Sequence, residues 1–140
     1  MTVFEAMITM GLVMVASTAA TMAVAPVLHA STSRSATEQL VADLRLTRMK
    51  AIAQNTRFRI RIDADARRYA IEREQSVGNF VVDEGPFALP ESVTLGEADP
   101  ANPIFDPRGG ASAPTSIELS APHGPTHTVT ISILGQVQAS

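Results

Sequence analysis

MTVFEAMITMGLVMVASTAATMAVAPVLHASTSRSATEQLVADLRLTRMKAIAQ, residues 1–54 of 140, is read as one long helix made of two unlike halves. From Ala6 to Leu28 every side chain is apolar, small or hydroxylated, and no Asp, Glu, Lys or Arg stands between Glu5 and Arg34. The Ser and Thr hydroxyls can bond back to the preceding helical turn, so they do not forbid an apolar surrounding. At roughly 1.5 Å per residue the run is long enough to cross a hydrocarbon core of ~30 Å. Residues 35–54 follow another rule: good helix formers place Leu40, Val41, Leu44 and Ile52 near one face and Arg45, Arg48 and Lys50 largely away from it. The division predicts a hydrophobic N-terminal segment over 1–33 and a globular part over 34–140, with its amphipathic helix over 34–54 and a β domain over 55–140.

Two residues mark the apolar half as unusual. No Lys or Arg precedes it, unlike the basic start of a secretory signal. Glu5 is an ionisable group at the end of an uncharged stretch, where a carboxylate needs a cationic partner. The nearest such group is the α-amino group of Met1, of the same chain or of a neighbour. Further along, Pro26 cannot donate to the helical ladder and clashes with the turn before it, so a kink or unwound stretch is expected between Gly11 and Pro26.

From Thr56 the period changes to two. TRFRIRID sets Arg57, Arg59 and Arg61 against Phe58, Ile60 and Ile62, a strand with one cationic and one buried face. Asp63-Ala-Asp-Ala is a turn, and RRYAIERE returns as the second strand of a hairpin with Tyr69 and Ile71 inward. Short strands are expected at 79–82, 92–95, 116–119, 127–133 and 136–139. The segment EADPANPIFDPRGGASAP, dense in Pro, Gly and Asp, is expected as a surface loop.

Charge is unevenly spread. Residues 34–73 hold ten basic and five acidic side chains, +5, whereas residues 74–140 hold Arg108 against eight acids, −7. Opposite patches on identical subunits can meet head to tail in a contact that need not close; the same charges also serve simply to solvate a surface. The chain has no cysteine, which excludes disulfides and thiolate chemistry, and no tryptophan to stack on single-stranded nucleic acid. His29 stands at the end of the apolar run, and His123 and His127, though four apart, sit in a Pro/Gly loop and at a strand start, so they do not make a helical metal pair; Arg108-Gly109-Gly110 lacks the Gly-Lys-Ser/Thr ending of a phosphate loop. No catalytic group, metal or cofactor is expected.

MTVFEAMITMGLVMV resembles the mature N-terminus of a type IV pilin or pseudopilin, with Glu5 at the family's fifth-position glutamate and Met1 in place of the common Phe. ATEQLVADLRLTRMKAIAQNTRFRIRID, IFDPRGGAS and HTVTISILGQVQ resemble the H-type minor pseudopilins and FimT-like minor pilins; Gly135-Gln136-Val137 departs from the Gly-Arg usual there. The resemblance implies an α+β pilin-like fold, a long N-terminal helix carrying a small antiparallel β domain. It also implies a leader removed by a prepilin peptidase, N-methylation of Met1, and an inner-membrane stage with the globular part in the periplasm. Assembly machinery then places the chain in a pilus or type II secretion filament, where Glu5 meets a neighbour's N-terminal amine. Two alternatives stay open: a minor pilin that captures DNA through Arg57, Arg59 and Arg61, which Glu72 and Glu74 could equally neutralise, and a generic single-span membrane-anchored periplasmic domain.

Overall fold

A computed structural model describes every residue except Met1, Pro100 and His123, and gives the backbone alone at Phe4, Ala6, Thr9 and residues 11–29. Helix α1 runs from Val3 to Gln54, 52 residues without interruption. It ends because Asn55 turns left-handed, at φ 49° and ψ 43°, where Thr56 N–H reaches back to the Ala51 carbonyl at 3.2 Å. Asn tolerates that region better than most side chains, which suits it to a helix terminus. The backbone over residues 11–26, where a kink or unwound stretch is expected, is helical throughout. Pro26 removes one ladder bond at a cost of ~3 kcal/mol, which long helical runs on both sides absorb. Among the described residues no helix is long and apolar enough to cross a membrane. The span expected over Ala6–Leu28 falls almost wholly on side chains outside that description.

Among the described residues eight strands follow. β1 (Phe58–Asp63), β2 (Arg68–Ser76), β3 (Asn79–Ala88) and β5 (Ile104–Phe105) form one antiparallel sheet in the order β3-β2-β1-β5. β4 (Thr94–Leu95), β6 (Thr115–Ser120), β7 (His127–Ile131) and β8 (Val137–Ala139) form a second in the order β4-β6-β7-β8. The fold is α+β, one helix packed on antiparallel sheets. The alternation read in the first hairpin holds: Phe58 faces Arg73 and Ile60 faces Ile71 across the ladder, and Phe58, Ile60, Tyr69 and Ile71 are buried.

The core lies where α1 meets both sheets. Ala36, Leu40, Val41, Leu44 and Ala51 from the helix join Ile60 and Ile71 of the first sheet and Ile117, Leu119, Val129 and Ile131 of the second. Three buried hydroxyls on the same stripe are satisfied locally. Ser33 Oγ donates to the Ala30 carbonyl, Thr37 Oγ1 to that of Ser33 and Thr47 Oγ1 to that of Asp43, at 3.1, 2.8 and 2.6 Å. A backward bond of this kind removes most of the penalty of burying a hydroxyl.

Three expectations need correction. Ile52 is 49% exposed, and Ala51 takes the buried place, because one helical step turns the next side chain ~100° away. The segment over 97–114 is more than a surface loop. It carries β5, whose Phe105 is fully buried and faces Phe58, and Ala98 and Ala111 are buried as well. The expected strand at 79–82 runs on to Ala88, with register shifts against β2.

Phe105→Ala therefore destabilises the protein by roughly 3–5 kcal/mol, the cost of an emptied aromatic site in a core. Denaturant unfolding of the full chain in detergent measures it, and a loss below about 1 kcal/mol would return the segment to a surface loop.

Candidate assembly site

Glu5 is the third residue of α1. Its Oε2 accepts from the Thr2 backbone N–H at 3.5 Å, and its own N–H donates to the Thr2 carbonyl at 3.0 Å. A carboxylate at this position also faces the positive end of the helix dipole. Met1 lies outside the described residues, so both its amine and the expected pairing with Glu5 do too. Beside Glu5, Val3, Met7, Ile8 and Met10 are 50–81% exposed. Among the described side chains of α1 the first buried one is Ser33. The described part of the apolar half thus presents bare hydrocarbon, in contrast to the helix from Ser33 onward.

Polar bonds fix that later half to the sheets. Asp43, 8% exposed, accepts from the Tyr69 hydroxyl at 2.5 Å and from Gln39 Nε2 at 3.1 Å. Burial, and then the bond to Asp43, push the Tyr69 hydroxyl far above the usual tyrosine range, so it stays a donor. Lys50 bonds Asp83 at 2.9 Å and also Glu84, which ties the helix end to β3. Burial works against the ammonium, but the hydrogen bonds and charges of Glu84 and Asp83 outweigh it and raise the Lys50 pKa above 10.5.

Arg45 and Arg48 bond the second sheet, a role their sequence does not reveal. Arg45 Nη2 donates to the Val137 carbonyl at 3.2 Å; Arg48 Nε donates to Gly109 at 2.7 Å and its Nη2 to Leu134 at 3.3 Å. The approach is so close that a Cβ on Gly135 (φ +75°) would lie 2.0 Å from the Gly109 carbonyl oxygen, and one on Gly109 (φ +86°) would lie 2.8 Å from Ile52 Cδ1. The glycines of IFDPRGGAS and LGQVQ are the signal that could have pointed here.

Arg59 and Arg61 alternate with Phe58 and Ile60 along β1, Arg57 stands just before it, and acids from β2 meet all three. Arg57 pairs with Glu74 at 3.1 Å, and Glu72, 3% exposed, receives Arg59 at 2.5 Å and Arg61 at 3.8 Å. Arg59 also lies 4.3 Å from the centre of the Phe80 ring. Phosphate contact by this face would leave the buried Glu72 carboxylate without its charge partners. His127 begins β7, half-buried; His123 lies outside the described residues, and among those described no cluster of His, Asp or Glu could hold a metal.

Gly135→Ala destabilises the protein by at least about 2 kcal/mol, through its positive φ and the backbone clash together, read by urea unfolding. For Lys50, a raised folded pKa means the contribution is complete below pH 10.5 and is lost as pH climbs through the raised value. Thermal melts should show this alkaline decline in the wild type and a shallower one in Lys50→Met.

The profile of a protein family described as type II transport protein GspH matches residues 36–135. No curated protein matches the chain. Among solved structures the fold is similar to the minor pseudopilin EpsH of the Vibrio cholerae type 2 secretion system, with TM-score 0.63 and 21% identity over 78% of this chain and 95% of that one. It is similar also to the type IV minor pilin FimU of Pseudomonas aeruginosa, with TM-score 0.63 and 18% identity over 76% and 87%. The matched span runs from the buried helix stripe through both sheets to the Gly109–Gly135 contact, and on that match the chain belongs to the type II transport protein GspH family.

Proposed function

We propose that this chain is a structural subunit of a type IV pilus or type II secretion pseudopilus-like filament. The observation that carries the reading is the division of α1: described side chains before residue 30 are exposed and largely apolar, while those from Ser33 to Ala51 supply the core of the β-sheet part. Exposed hydrocarbon on one end of a long helix is stable in a bilayer or among other such helices, not in water. In this reading residues 1–33 are the membrane and filament-core unit and residues 34–140 the head. A prepilin peptidase frees and N-methylates Met1, and the inner membrane holds the chain, head in the periplasm, until assembly machinery extracts it.

Assembly then replaces lipid with the helices of the same or related pilins. Glu5, so far bonded to Thr2 N–H, pairs with the N-terminal amine of an adjacent subunit, a stronger partner in a medium of low dielectric. Gly11 and Pro26 give the helix a place to unwind if neighbours require it, since Pro26 already lacks one ladder bond. The role is architectural rather than catalytic.

Glu5→Ala is expected to leave membrane-inserted protein at normal abundance while abolishing its incorporation into sheared, purified filaments. Incorporation at the wild-type level would sink the Glu5 pairing, and wild-type chain absent from every filament would favour a plain membrane anchor.

A further inference from the structure

On the side of α1 turned from the core, Leu46, Met49 and Ile52 are 37%, 61% and 49% exposed; at the β7–β8 turn Ile133 and Leu134 are 62% and 68% exposed. Met49, Ile52 and the chain from Leu134 to Val137 form one surface. Arg48 bridges them by its bond to the Leu134 carbonyl, and Met49 and Ile52 border the same shallow groove of about 510 Å³ as Gly135 and Val137. Clustered large apolar side chains of this kind mark a place that something covers. The cations at its border point to what. Arg45 and Arg48 are bonded to carbonyls and Arg108 precedes the Gly109 that packs on Ile52; Asp106 accepts from the Arg108 backbone N–H at 2.8 Å, but among the described residues no guanidinium of the three is in an ion pair.

The complement is on the same head. On the outward face of the second sheet Asp99 bridges to Ser116, Glu118 lies two residues along β6, and Gly96, which precedes Glu97, packs on Glu118. Glu97, Asp99 and Glu118 are exposed, and none is in an ion pair among the described residues. Their outward neighbours on β6 and β7, Ser116, Thr128 and Thr130, carry no charge. β4, at this edge, is the far strand of the sheet, whereas β8 lies beside α1 and the apolar surface.

We propose that the arginine-bordered apolar surface docks the acidic outer face of the second sheet of another copy of this chain. The two surfaces differ, so the contact is heterologous and repeats from copy to copy without closing. Docking like on like would bring arginines against arginines, which electrostatics opposes. The inference rests on the filament reading, because a shared membrane or filament raises the effective concentration at which a modest contact between heads is occupied.

The chain has no cysteine, so single engineered cysteines report the contact without background. Full-length Leu134→Cys and Thr130→Cys chains are co-expressed and treated in membranes and in sheared filaments with a short thiol-to-thiol cross-linker. The mixed product should exceed either same-site product. Glu97→Lys with Glu118→Lys in the Thr130→Cys copy should lower it about fivefold, the worth of a modest charge contact, and Arg108→Glu in the other copy should recover part of the loss. Same-site products equal to the mixed one, or a mixed product indifferent to charge reversal, overturn the docking surface. Chains that enter filaments yet give no mixed product overturn this inference alone; wild-type chain missing from filaments sinks the filament reading, while the membrane cross-link still reads the surface.

Discussion

Both sheets close on one stripe of one helix, and the rest of the molecule follows from that. Leu40 and Leu44 are fully buried, and the side chains they share a cluster with come from β1 and β2 on one side and from β6 and β7 on the other. Neither sheet is broad enough to build a core alone; each contributes one apolar face, and the helix fills the space between. The stripe must therefore stay helical and in register through Ala51. It does so by satisfying its own hydroxyls at Ser33, Thr37 and Thr47 instead of exchanging them for water.

Polar contacts then set how the helix sits on the sheets. Asp43 under Tyr69, Lys50 against Asp83 and Glu84, and Arg45 and Arg48 on the carbonyls of the β5–β6 and β7–β8 segments reach both sheets. Apolar packing alone is weakly directional. Charged hydrogen bonds to buried or constrained acceptors are not, since a small rotation leaves a desolvated group without its partner. Where the helix points, the sheets must follow, and a filament subunit that transmits position from its helix to its head needs that coupling.

The same economy governs the surface. The cations of β1 are largely cancelled within the chain by Glu72 and Glu74, so the most conspicuous basic stretch of the sequence is not the most available basic surface. Arg45, Arg48 and Arg108 give the arginine border of the apolar patch, and among the described residues none of their guanidiniums is in an ion pair.

From residues alone came the long helix, its amphipathic half, the hairpin of β1 and β2 with its inward residues, and the pilin-like α+β class. The helix and the hairpin rest on a period of 3.6 or 2 running along contiguous chain, which local sequence encodes, and the pilin-like class rests on the resemblance of its motifs. Phe105 in the core, the left-handed glycines at 109 and 135, the arginine bonds to Gly109 and Leu134, and the surface of Ile52 with Leu134 were decided only by tertiary structure. The two Arg48 bonds join residues 61 and 86 positions apart, and no periodicity reaches that far. The position of an isolated aromatic in a Pro-Gly segment, or of an arginine on a helix flank, is set by what the rest of the chain brings against it.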